Sequence, residues 1–158
     1  MIKLKVNQIV LVAQALKQIE TDDNLTEKQK YWLSRLAVKL QPELELFNQR
    51  MHSLQIKARA LGKPPAESKP DATEEEIQAQ KIKAGEYDQA MDALNAESQD
   101  FMSQEIEIDM FQLRLKVSQI PKSMTTQVLI KLDPCLELID DLGDSDAEII
   151  PLQIIPND

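Results

Sequence analysis

Between Leu33 and Leu61 the apolar residues Leu33, Leu36, Leu40, Leu44, Phe47, Met51, Leu54, Ala58 and Leu61 recur at three- and four-residue steps averaging 3.5. A step of 3.5 sustained over four heptads puts one continuous stripe on one side of a helix, and such a seam needs a second helix to cover it. Thr26 and Gln29 have the spacing of a capping box at the head of this helix, and Gly62 follows its last apolar residue, so the spacing predicts a helix from about residue 26 to 61. At about 1.5 Å per residue it would be roughly 54 Å long. The seam keeps its phase across Pro42, which points to a kinked helix, with a break into two helices as the open alternative.

The covering helix is expected next in the chain. Residues 62–72 (GKPPAESKPDA) contain three prolines and a glycine without a large apolar side chain, and read as a loop at a hairpin tip. Thr73 and Glu76 form a second capping box, after which Ile77, Ala84, Tyr87, Met91, Leu94, Ser98 and Phe101 make a weaker heptad seam, with Gly85 as a point of interruption or a later start. Two consecutive seams joined by a loop predict an antiparallel helical hairpin.

Both flanks of the hairpin have other patterns. Ile2, Leu4 and Val6 alternate with lysines, as a short strand would, and lead to Asn7 as a candidate N-cap for a helix with apolar positions Ile9, Val10, Val12, Ala13, Leu16 and Ile19. That periodicity fits an amphipathic helix better than a signal peptide, since Gln14 and Lys17 interrupt the apolar run. Beyond Phe101, Ile106, Ile108 and Met110 alternate with acids, and after a one-residue slip Leu113, Leu115 and Val117 alternate with polar residues. This reads as a strand bulged near Met110 and Phe111. Pairing of about 2–6 with 105–117 would give a small β base. A short helix is expected from Thr125 to Leu132 and another turn from Pro134 to Gly143. The fold class is therefore mainly α: a long hairpin with a short N-terminal helix, a minor β element and an extended C-terminal arm. It divides into one domain over 1–143, the tip loop 62–72, and an acidic and apolar arm over 144–158.

Composition narrows the chemistry. Aromatic residues make up only 4% and glycines number three, so no glycine-rich phosphate loop can be assembled and the core must come from aliphatic side chains. A single cysteine, Cys135, excludes an internal disulfide, and one cysteine with one histidine cannot form a zinc site from nitrogen and sulfur ligands alone. Cys135 follows Pro134 at a predicted helix start, where thiolate character would be favoured, but His52 lies far along the chain; a packed thiol and an ordinary helix-surface histidine are the simpler readings. Asp140, Asp141, Asp144, Asp146 and Glu148 lack the glycine and distant glutamate of an EF-hand loop and read as a solvated acidic turn. No cofactor or metal and no catalytic constellation is expected, and an enzyme is not.

Charge is unevenly spread. Residues 1–61 carry ten basic and six acidic side chains, whereas 62–158 carry eight and twenty-one. Such a chain repels phosphates, so direct nucleic acid binding is not expected, and no apolar run is long enough to enter a membrane as a span. Partner proteins are the remaining class. Lys28, Arg35, Lys39, Arg50 and Lys57 fall within about 60° of one another around the long helix at 100° per residue, as a stripe beside the seam. They read either as a landing strip for an acidic partner or as flank pairing with Glu74, Asp88 and Asp92 on the returning helix. Ile149, Ile150, Leu152, Ile154 and Ile155 are too dense an apolar set for a solvated end, and are expected to pack on the hairpin base or dock on another chain.

Two stretches, YWLSRLAVKLQPELELFNQR and EYDQAMDALNAESQDFMSQEIEID, together roughly a third of the chain, resemble small helical proteins encoded by tailed bacteriophages and prophages, often near virion genes. The resemblance is one of residue type and transfers no catalytic or binding residue; the proline-rich loop and the residues after Leu132 depart from the shortest such proteins. It implies a non-enzymatic structural or assembly component, such as a head, neck or tail accessory protein. Such a protein would be made in the host bacterial cytoplasm or incorporated in the virion, with phage subunits or copies of itself as partners. The alternative is a small acidic inhibitor of a host defence or regulatory protein, using the acidic second half to occupy a basic cleft.

Overall fold

A computed structural model describes residues 1–140. The order of elements is β1 (Ile2–Lys5), α1 (Val6–Ile19), α2 (Glu27–Ala60), α3 (Glu74–Ser103), β2 (Glu105–Ile108), β3 (Leu113–Lys116), α4 (Thr126–Leu132) and β4 (Leu136–Ile139), so the protein is mainly helical with two long helices and short strands. Within the stretch read from sequence as one domain, the chain forms two compact units, one of Met1–Glu43 with the chain from Glu105 on, the other of Leu44–Gln104.

The second unit is the hairpin. Phe47 and Phe101 stack with centroids 6.1 Å apart, and Arg50 and Lys57 both pair with Glu97, contacts that place α2 and α3 antiparallel. Gly62, at φ +71, follows the end of α2 and donates its N–H to the Arg59 carbonyl at 3.1 Å, a left-handed position that a side chain would strain. The expected capping box of α3 is present: Thr73 N–H donates to Glu76 Oε2 at 3.0 Å and Glu76 N–H to Thr73 Oγ1 at 3.3 Å. Neither Gly85 nor Pro42 interrupts its helix. The seam is shallower than the heptads suggest, because two helices cover each other from one side only. Of its α2 positions past Glu43, Leu54 alone is buried among the described residues, and no residue of α3 is.

The core lies in the first unit. β1 pairs antiparallel with β2 in the register Ile2↔Ile108 to Lys5↔Glu105, as expected. α1 packs on α4, and Val6, Ile9, Val12, Ala15, Leu16 and Ile19 of the one are buried with Val128 and Leu132 of the other, while Leu33, Leu36 and Leu40 are buried on the first turns of α2. At about 25 cal/mol per Å² of apolar surface, each such fully buried aliphatic side chain contributes about 1.5–3 kcal/mol. The capping box of α2 is also present, with Thr26 N–H to Gln29 Oε1 at 2.9 Å and Gln29 N–H to Thr26 Oγ1 at 3.2 Å.

Three local expectations are corrected. Asn7 is not the cap of α1; the helix begins at Val6, and Gln8 Oε1 reaches back to accept from Lys5 N–H at 2.8 Å. The 105–117 segment is two strands belonging to two sheets, since at Met110 the chain turns and β3 leaves to pair in parallel with β4, Leu113↔Leu136 to Lys116↔Ile139. Pro134 lies in a single 3-10 turn, Asp133–Cys135, and within the further turn expected from Pro134 to Gly143 the residues Leu136–Ile139 are instead strand β4, whose Glu137 sits directly opposite Arg114 and binds it at 2.7 Å.

Candidate functional site

The first unit carries a groove of about 350 Å³ between the start of α2 and the loop joining β2 to β3. One wall is a single face of α2, where Lys28, Tyr31, Trp32 and Arg35 follow at steps that return to the same side each turn. The other wall is the loop and the first residues of β3. The loop is held at three points. Met110 N–H donates to the Ile108 carbonyl at 2.7 Å, a tight three-residue turn that sends the Met110 side chain into the core, where it is buried. Trp32 Nε1–H donates to the Phe111 carbonyl at 3.0 Å, and Gln112 Nε2 donates to the Pro134 carbonyl at 3.1 Å.

With Met110 turned inward, Phe111 is turned outward and is 87% exposed, while Tyr31 on the facing wall is 69% exposed. Large rings held in water by backbone hydrogen bonds are poised to lose that exposure to a ligand. Lys28 and Arg35 are exposed and, among the described residues, have no ion-pair partner; Arg114 is engaged by Glu137, whose carboxyl it holds below the ordinary range by its hydrogen bond and charge. Asp109 is the acid lining the groove. Chemically the groove combines aromatic faces with three cations, of which Arg114 is paired, and one acid. It suits an acidic ligand with apolar side chains.

The basic stripe thus divides. Lys28 and Arg35 line this groove; Lys39 is half-buried on α2. Arg50 and Lys57 are in the other unit and engage Glu97, Lys57 at 2.7 Å, and their hydrogen bonds and charges hold the Glu97 carboxyl below its ordinary value. Flank pairing therefore occurs, on Glu97 in place of Glu74, Asp88 and Asp92. Ile149, Ile150, Leu152, Ile154 and Ile155 lie outside the described residues, as do Asp141, Asp144, Asp146 and Glu148 of the acidic cluster. His52 is exposed on α2. Cys135 is fully buried, and loss of hydration pushes its thiol up to about 12, which makes it a packing group.

Sequence reasoning missed the aromatic half of the groove. Three of the chain's six aromatic residues, Tyr31, Trp32 and Phe111, meet there. Adjacent aromatics beside Lys28 and Arg35 in an aromatic-poor chain were the available signal; the exposure of Phe111 was not legible, because it depends on which of Met110 and Phe111 the turn sends inward. Among the described residues no helix is long and apolar enough to cross a membrane. No protein-family model, curated protein or solved structure matches the chain.

Proposed function

We propose that this protein is a non-enzymatic binding component that docks on another protein through the α2 and β2–β3 loop groove. The observation that carries this reading is Phe111, 87% exposed on a loop held by the Trp32 hydrogen bond to its carbonyl, in a groove it shares with Tyr31, Lys28 and Arg35. An exposed aromatic pair inside a charged rim is the arrangement that supplies most of the binding energy at protein interfaces. With the resemblance of residues 31–50 and 86–109 to tailed-phage proteins, the reading becomes a structural or assembly component of a phage particle. The partner surface would be a virion subunit.

The test is recovery of tagged protein from its producing cell during infection or induction, with mass spectrometry of what is retained, for the wild type and for Phe111→Ser. Portal, tail or capsid proteins retained at fixed stoichiometry by the wild type and lost from the variant are the expected result. Equal retention by the variant refutes the groove. The exposed acids of α3, among them Glu74, Glu75, Glu76, Asp88 and Asp92, favour the second reading, an inhibitor that occupies a basic cleft. Retention of one host protein, insensitive to Phe111→Ser and lost on charge reversal of those acids, would select it.

A further inference from the structure

We propose that the second unit pairs with a second copy of this chain through the side of α2 turned away from α3, the two α2 helices running antiparallel about a twofold axis near Ser53. This surface is separate from the groove and stands whether or not the groove docks a partner.

The spacing of residues defines the surface. Leu46, Gln49, Ser53, Ile56 and Ala60 follow at steps of three and four residues, so they form one row on α2, about 21 Å long at roughly 1.5 Å per residue. At 100° per residue the row lies roughly 160° round the helix from Leu44, Phe47, Met51, Leu54 and Ala58, the side on which Phe47 stacks against Phe101. None of the five is charged, and Leu46 and Ile56 stand 59% and 53% exposed. The corresponding row of α3 carries Glu75, Glu86 and Asp100 around its exposed Ile82, the ordinary make-up of a solvated face. An uncharged row on the outside of a hairpin that buries little of its own seam is the side that gains from being covered.

Charge names the occupant. Glu45, His52 and Arg59 are exposed and follow at seven-residue steps along one edge of the row. In an antiparallel helix pair like edges meet, so an axis beside His52 sets Glu45 of each copy opposite Arg59 of the other, two ion pairs from a single helix sequence. A parallel pair would set Glu45 against Glu45 and Arg59 against Arg59. The row has nearly the same centre. Leu46 falls opposite Ala60 and Ser53 opposite Ser53, large against small at the ends and small against small in the middle, which lets the helices approach closely. On the other edge Arg50 and Lys57 are both already bound to Glu97 of their own chain, which blunts their repulsion across the axis. Two such helix faces make an interface at the small end of the specific range, below about 1,200 Å², so the dimer dissociates in the micromolar range.

The test is directed disulfide formation in the full-length chain, whose own Cys135 is buried. Ser53→Cys should give a linked dimer under mild oxidation. Leu46→Cys and Ala60→Cys should each stay unlinked alone and link to each other when mixed. Absence of a dimer from Ser53→Cys, or self-linkage of Leu46→Cys as strong as that of the mixture, overturns the antiparallel pairing. Sedimentation equilibrium supplies a second measurement, in which the wild type should pass from monomer to dimer across the micromolar range. Arg59→Glu should weaken association about tenfold, the sum of two exposed pairs, with far-UV circular dichroism unchanged, and adding Glu45→Arg should restore it. A wild type that stays monomeric throughout that range, or a double variant no tighter than the single one, refutes the dimer.

Discussion

Trp32 Nε1–H donates to the carbonyl of Phe111 at 3.0 Å, a bond between residues 79 apart in sequence that fixes the β2–β3 loop against α2. Replacing Trp32 with Phe keeps an aromatic ring, though a smaller one, and deletes the donor. A solvent-accessible neutral hydrogen bond of this kind contributes about 0.5–1.5 kcal/mol, so urea denaturation should show a loss in that range. Amide exchange in residues 109–113 should quicken at the same time. A variant with unchanged exchange there would mean that the Met110 turn alone holds the loop.

Glu97 serves two cations at once, Arg50 and Lys57. Its carboxyl is held below the ordinary value, so its contribution to stability is complete above the usual carboxylate range and is lost as pH falls through the depressed folded value. Thermal melts of the wild type and Glu97→Gln should therefore differ at neutral pH and converge in acid. A gap that stays constant from pH 7 to pH 3 would show that the ion pairs contribute nothing.

Pro42 lies inside α2 without an N–H to offer the Val38 carbonyl. The helix is continuous in spite of it, and Pro42 is exposed, so no packing compensates directly. Pro42→Ala should raise stability by about 1–3 kcal/mol, the scale of the interior proline penalty. A chemical denaturation midpoint at or below that of the wild type would show that the helix gains nothing from the restored bond.

Cys135 is fully buried, with its thiol pushed up to about 12. It should resist alkylation by iodoacetamide in the native protein at pH 8 and react fully once urea unfolds the chain. Cys135→Ser, which puts a hydroxyl in the same apolar place, should cost about 1–3 kcal/mol if the hydroxyl finds no partner. Rapid labelling of the folded protein would contradict the burial.

Local chemistry explains which features were legible in the sequence. Both predicted capping boxes, Thr26 with Gln29 and Thr73 with Glu76, form as their spacing requires, because the bonding groups are three residues apart and no distant contact has to agree. The pairing of β1 with β2 was legible from matching period-2 patterns. The partner of β3 was not, since Leu136 and Ile139 are only four residues of pattern following a proline, and a helical turn and a strand look alike at that length. The groove was half legible. Lys28 and Arg35 could be placed on one helix face by angle, whereas their separation from Arg50 and Lys57 depended on Glu97, and the aromatic wall depended on a turn at Met110.

The pairing of β1 with β2 also has a consequence in time. Ile2 lies opposite Ile108, so the first unit closes only after the whole hairpin has been made between its two halves. With synthesis at about 5–20 residues per second, Ile2 and Leu4 wait roughly 5–20 seconds on the ribosome for the strand that covers them. Residues that end among the most buried of those described thus spend that interval as exposed apolar surface, which a ribosome-bound chaperone can cover.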